Sequence, residues 1–181
     1  MNKKILAGAV LSVLSFGAMA DTPSFNNIEL GYISYDFDGG FDPDGFELKG
    51  SKELSDNFYI AGDYSDVSDQ GFSINLTTLG VGYKHDFSES STFYAEIDYA
   101  NVDADGGFDE SGYELTLGIR SMLNDQFELK AAVEYLEIDS EDTTYLVLGG
   151  AYNFTDTVAM YADYKYESDE SRYGIGVRFN F

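Results

Sequence analysis

The sequence has no cysteine, one histidine, two prolines and only ten basic residues against 33 acidic ones in 181. Without cysteine there are no disulfides, no zinc–thiolate sites and no thiol nucleophile. A net charge of -23 and a pI near 4.1 exclude nucleic acid as a partner, because phosphate contacts need a basic face. The shortage of proline, together with 15 Tyr and 14 Phe, is unlike a disordered chain, which is poor in aromatics. Beyond residue 20 no apolar run is long enough to cross a bilayer as a helix. The mean hydropathy of -0.24 agrees, but it excludes a helical membrane protein only. The length suits one domain.

Met1-Asn2-Lys3-Lys4 is a short basic start, and an apolar run from Ile5 to Phe16 follows it. Ala18-Met19-Ala20 then sets small residues before Asp21, the layout of a secretory signal peptide cleaved between Ala20 and Asp21. The expected organisation is a signal peptide over 1–20 and one domain over 21–181. Removing the leader takes Lys3 and Lys4 and no acid, so the exported chain is more acidic still.

From Asn26 onward nearly every segment alternates with period two, the strand signal. Tyr113-Glu114-Leu115-Thr116-Leu117-Gly118-Ile119-Arg120 is one example, and Tyr173 to Phe181 alternates to the last residue. The pattern predicts an all-β fold of ten strands, at 25–37, 44–53, 57–66, 72–84, 92–102, 111–121, 127–138, 143–153, 158–167 and 171–181. Short turns (54–57, 87–90, 123–126 and 154–157) alternate with acidic, often Gly-rich connectors, as the two ends of an up-and-down meander should. In the fourth strand apolar parity flips between Leu76 and Leu79, predicting a bulge at Thr77-Thr78 or a strand leaving an apolar layer.

The apolar face carries four to five bulky side chains on nearly every strand, more than the interior of a small barrel holds. The opposite face alternates long charged residues with glycine. Aromatics mark the ends of the apolar stretches, as in Phe58 and Tyr64, Phe93 and Tyr99, and Phe127 and Tyr135. Amphipathic rings at both edges of an apolar band are what a bilayer interface selects. The expected fold is therefore a closed antiparallel up-and-down transmembrane β-barrel, apolar face to lipid, with both termini on the periplasmic side.

With that pattern the chain resembles the small outer-membrane β-barrels of Gram-negative bacteria, the OmpA/OmpX-like group. Its short acidic loops and Gly-Tyr strands are most similar to a compact Ax-type barrel family. The sharpest element is the final strand, Tyr173-x-Ile175-x-Val177-x-Phe179-x-Phe181. The resemblance implies that this strand is read by the barrel assembly machinery after escort by periplasmic chaperones. It also implies an outer-membrane location among lipid and lipopolysaccharide. The namesakes have eight strands, so eight is the alternative to ten.

Assigning the polar parity to the lumen places Lys49, Lys84, Arg120, Lys130, Lys165, Arg172 and Arg178 inside, with Glu29, Glu47, Asp63, Glu96, Asp98, Glu114, Glu128, Glu134 and Asp163. Nine acids against seven bases predict a salt-bridge network filling the bore, since buried charges need partners. Inward glycines predict gaps in that filling. Most of the acidic excess then falls on the outer loops. Two of these, 36–46 and 103–113, are near copies at an offset of 67 residues, and Glu29 and Tyr32 match Glu96 and Tyr99 at the same offset, as an old double-hairpin duplication would leave them. Asp36, Asp38, Asp42, Asp44, Asp103, Asp105 and Asp109 are weak candidates for Ca²⁺ or Mg²⁺, without the EF-hand spacing. No other cofactor is expected.

No catalytic constellation is visible. His85 is expected at the start of a short turn beside Ser88, Ser90 and Ser91, with no oxyanion site. Carboxylate pairs such as Glu96/Asp98 have bases close enough for ion pairing. The reading is a non-enzymatic outer-membrane barrel with a plugged lumen and a structural or surface-interaction role. The alternatives are a narrow passive channel, or an adhesin or receptor for cationic ligands.

Overall fold

A computed structural model describes residues 22–37, 40–168 and 170–181. Ten antiparallel strands follow one another round a closed wall: β1 (Asn27–Phe37), β2 (Asp44–Glu53), β3 (Phe58–Asp69), β4 (Phe72–Ser88), β5 (Ser91–Ala104), β6 (Phe108–Met122), β7 (Phe127–Ile138), β8 (Glu141–Asn153), β9 (Val158–Tyr166) and β10 (Glu170–Asn180). β10 pairs back onto β1 from Asn27↔Asn180 to Phe37↔Glu170, so no edge is left unpaired. Ten strands are realised, not eight. No helix occurs among the described residues, and none is long and apolar enough to cross a membrane.

Followed from strand to strand, the pairings return to β1 about 12 residues further on. For ten strands that stagger means a tilt of about 40° and a backbone radius near ~10 Å, so side chains from opposite walls meet at the axis.

Side-chain parity divides the wall cleanly. Leu79 is 65% exposed and Leu117 57%, whereas Glu47 is 0% and Asp98 3%. The exposed leucines, isoleucines and valines form a lipid-facing belt. Aromatic pairs flank it: Phe58–Tyr83 at 5.5 Å and Phe127–Tyr152 at 4.9 Å on the side of the termini, and Phe46–Tyr64 at 5.9 Å and Tyr164–Tyr173 at 5.0 Å on the other.

Three periplasmic turns, 54–57, 123–126 and 154–157, share one construction. The side chain of Ser55, Asn124 or Thr155 accepts a hydrogen bond from the backbone N–H of Phe58, Phe127 or Val158, at 3.0–3.2 Å. The fourth is tighter than expected. β4 runs on to Ser88, so the turn is Glu89-Ser90 alone and His85 is a strand residue facing Phe93. The register slips between Asp86 and Ser88, and no slip occurs at Thr77-Thr78. The parity flip there has the other cause foreseen, the strand leaving an apolar layer. β4 keeps its alternation, and Ile74 and Leu76 turn inward above the belt to line an apolar pocket with Val67 and Val102. On the outer side the strands also run further than expected. Gln70 (φ 52°) with Gly71 (φ 83°), and Asp139 (φ 49°) with Ser140 (φ 68°), close two-residue hairpins that replace loops.

Candidate functional site: the barrel lumen

The bore is organised in layers. At the periplasmic end the chain ahead of β1 turns inward instead of extending the strand. Phe25, expected to open the first strand, is 2% exposed and lies inside the wall. Its ring centroid is 4.6 Å from that of Tyr59 and 5.8 Å from that of Tyr94. The Arg120 guanidinium is 4.5 Å and the Lys84 ammonium 5.4 Å from the ring centre, a cation–π clamp. The Phe25 N–H donates to Glu53 Oε1 at 3.1 Å, and Arg120 Nη1 donates to the Ser24 carbonyl at 3.0 Å.

Above this aromatic group runs a continuous ionic relay. Arg120 binds Glu128 through two parallel bonds, Nε to Oε1 at 2.7 Å and Nη2 to Oε2 at 3.0 Å. Arg178 bridges Glu128 at 2.8 Å to Glu29 at 2.6 Å. Lys49 lies 3.7 Å from Glu29, 2.9 Å from Glu47 and 2.8 Å from Asp163. Arg172 closes the chain on Glu47 and reaches Asp163 at 3.5 Å. Two pairs stand apart: Lys84–Glu53 at 2.9 Å and Lys165–Glu134 at 2.5 Å. Bidentate and shared contacts of this kind satisfy charges that would be costly to desolvate alone. Asp63, Glu96, Asp98, Glu114 and Lys130 also face inward, but none makes an ion pair within 4.0 Å among the described residues. Glu96 instead accepts the Tyr59 hydroxyl at 2.5 Å.

Glycine and tyrosine fill the space between charges. Tyr59 faces Gly82, Tyr94 faces Gly118 and Tyr161 faces Gly176, each directly across a strand pair. A Cβ on Gly82 would meet the Tyr59 ring at 2.1 Å, and one on Gly118 the Tyr94 ring at 2.5 Å. The inward glycines therefore leave no gaps. They are the seats on which aromatic rings lie across the wall, which also restores packing that glycine strands lack. The Tyr161 hydroxyl donates a hydrogen bond to Glu47 Oε1 at 2.8 Å.

Near the outer end Tyr145 donates to Glu170 at 3.0 Å, and Tyr35 stacks on Phe37 at 5.7 Å. The remaining space is divided. A central cavity of about 140 Å³ lies among the charges, a pocket of about 30 Å³ sits beside Arg172, and an apolar pocket of about 150 Å³ lies under the outer turns.

Sequence reasoning left out Phe25, Glu53, Glu170 and the three tyrosines. Parity alone would have placed the tyrosines inside, since each adjoins an outward residue (Phe58, Phe93 or Met160). Glu53 and Glu170 raise the inward acids to eleven against the same seven bases, so the bore is net acidic rather than near balance. Lys52 is the basic residue outside, its ammonium 4.9 Å from the Phe181 ring centre.

Among the outer acids, Asp105 accepts the Ser73 N–H at 3.1 Å and Asp109 the Asn101 side-chain amide at 2.9 Å. Asp36, Asp42, Asp44 and Asp103 are exposed on strand ends or the first outer loop. Among the described residues no three acidic or histidine side chains converge as a cation site. Asp38, and the expected leader with its cleavage point Ala20–Asp21, lie outside the described residues. In the final strand Tyr173, Ile175, Val177, Phe179 and Phe181 are all exposed on the lipid side.

The model of the Gram-negative porin family matches residues 14–172. A comparison with curated proteins finds no match. Among solved structures, the NanC porin superposes with a TM-score of 0.58 at 12% identity, covering 86% of this chain and 100% of that one. The KdgM porin gives 0.50 at 16% identity, with 84% and 99% covered, and KdgM in complex with disordered oligogalacturonate gives 0.50 at 16%, with 86% and 98% covered. At such identities these structures share the fold. The family match spans most of the sequence, and with the belt, girdles and closed wall it places the protein in the bacterial outer membrane: the chain belongs to the Gram-negative porin family.

Proposed function

We propose that this porin-family barrel is a closed, structural outer-membrane protein whose outer turns meet the surroundings, and that its resting lumen passes no solute. The observation that supports the reading is the packing of side chains across the bore at two levels. The Phe25–Tyr59–Tyr94 group with Arg120 and Lys84 blocks the periplasmic end. The Arg172–Glu47 pair, with Tyr35 and Tyr145 above it, narrows the space between the central cavity and the outer pocket to about 30 Å³. Cross-strand ionic bonds spanning as many as 149 residues of sequence stiffen the wall.

Lipid and lipopolysaccharide are the permanent partners in this reading, and the exposed row from Tyr173 to Phe181 is the assembly signal. No enzymatic role is proposed. His85 is exposed on the outer face of β4, and most lumen carboxylates are already bonded. Outer connections of two to six residues offer an adhesin little specific surface.

A narrow channel is the second reading, favoured by family membership and by the acidic excess in the bore. Such a channel would prefer cations, whereas the oligogalacturonate named with KdgM is a polyanion. Planar-bilayer recording tests the two. The closed reading expects no unit steps above leak. Stable steps of one size, with a reversal potential favouring cations, would overturn it for the channel.

A further inference from the structure

Beyond the outer aromatic girdle the two faces of the wall exchange character. In the belt, leucines such as Leu79 and Leu117 point out to lipid. Above Tyr64 and Tyr99 the apolar residues point in. Val67 faces Ile74 and Leu76 faces Val102 across strand pairs, and Leu136 and Ile138 follow on β7. The outward positions there go to polar residues such as Asp66, which pairs with Asn75. The cause is the medium. Strands that have left the bilayer meet water on the outside, and period-two sorting then sends apolar side chains into the bore.

An interior sorted in this way is normally filled by its own side chains. Here it is not. A cavity of about 150 Å³ lies among Val67, Ile74 and Leu76, and another of about 320 Å³ lies among Leu136, Ile138 and Phe108, with Val102 lining both. Phe72 and Phe108, at the rim, stay 40% and 47% exposed. The rings of Tyr35, Phe37, Phe41 and Phe72 follow one another at centroid distances of 5.7, 5.8 and 6.2 Å, a row from the floor of the smaller cavity to the rim. Beneath Tyr35 the ionic layer begins, with the Arg172 guanidinium 6.0 Å from the ring centre. The chain has no further apolar side chain to supply the filling: outside the described residues, the outer connections hold only Asp38, Gly39 and Asp169.

We propose that the outer end of the lumen is a binding cup for a small neutral apolar molecule about the size of one aromatic ring. These apolar side chains face the bore, so bilayer lipid and a second copy of the chain cannot reach them across the wall. An apolar cavity near 150 Å³ takes one benzene-sized guest. Contact with methyl groups and ring faces supplies the affinity. Glu170 and Glu141, one beside each cavity, disfavour an anionic head. Glu170 already accepts the Tyr145 hydroxyl at 3.0 Å, so a cationic head gains little. The cup lies above the ionic layer and does not depend on whether the bore conducts.

The test is a titration of the purified protein with fluorobenzene, followed by methyl NMR in phosphatidylcholine nanodiscs, where no detergent tail competes. Saturable shifts are expected at the methyl groups of Val67, Ile74, Leu76 and Val102. The methyl groups of Leu79 and Leu117 report partition into lipid, which does not saturate. Val102→Phe fills the cup and Ile74→Ser makes its wall polar. Each is expected to weaken binding about tenfold or more, with the far-UV circular dichroism of the barrel unchanged. Benzoate, similar in size but negative, is expected to bind about tenfold more weakly than fluorobenzene, or worse. Shifts confined to the belt, or none that saturate below the aqueous solubility limit, overturn the proposal. So does unchanged affinity in a folded variant, or benzoate binding as tightly as fluorobenzene.

Discussion

Phe25 and Tyr59 sit ring to ring at 4.6 Å inside the periplasmic mouth, so the residue just ahead of the first strand lies within the lumen and is not part of the wall. Clamped by Arg120 and Lys84, the ring lines the central cavity, and in the closed reading it seals the periplasmic end. In the F25A variant the seal is absent while the ten-strand wall is untouched. The expected result is unit conductance in planar bilayers where the unaltered protein shows none, with a loss of stability at or below the ~3–5 kcal/mol usual for a buried Phe→Ala, since the site lies at a barrel end. Silent bilayers would assign the block to the ionic layer alone.

Glu47 and Arg172 form a buried joint of that ionic layer. Replacing Glu47 by Gln leaves a buried guanidinium short of its partner, and a loss of about 3–5 kcal/mol is expected from urea unfolding in detergent. Replacing both with methionine removes the desolvation cost along with the attraction. The double variant should recover much of the loss, and a double-mutant cycle reads the difference.

Leu117 and Thr116 are neighbours in sequence on opposite faces of β6. Leu117→Arg sets a cation in the lipid belt and is expected to cost about 2–4 kcal/mol in liposome unfolding, the usual depth-dependent penalty on a barrel's lipid face. T116K, one residue away, should cost nothing because it meets carboxylates. Equal losses would mean that the two faces have been assigned wrongly.

Gly82 lies under the Tyr59 ring, which leaves no room for a methyl group. Gly82→Ala must push the ring off its seat and stretch the Tyr59–Glu96 bond of 2.5 Å. The expected readout is a changed near-UV circular dichroism signal from tyrosine with a loss of about 1–3 kcal/mol, whereas Gly50→Ala, whose nearest neighbours are 3.7 Å away, should be close to silent.

The alternation of residues such as Leu115, Leu117 and Ile119 with Glu114, Thr116 and Arg120 determined the strands, their number and their two faces, because a period of two leaves a strand only one way to sort apolar from ionic side chains. It also marked which charges face inward. Which charge meets which was decided by the closed wall: Glu29 and Arg178, 149 positions apart, are neighbours only because β10 returns to β1. The two-residue hairpins that carry β3 on to Asp69 and start β8 at Glu141 rest on positive φ values at Gln70, Asp139 and Ser140, residues that do not announce such turns. The inward fold of Phe25 had no local signal either. Its ring is held by Tyr59, Tyr94, Arg120 and Lys84, and those side chains from four strands converge only once the barrel has closed around them.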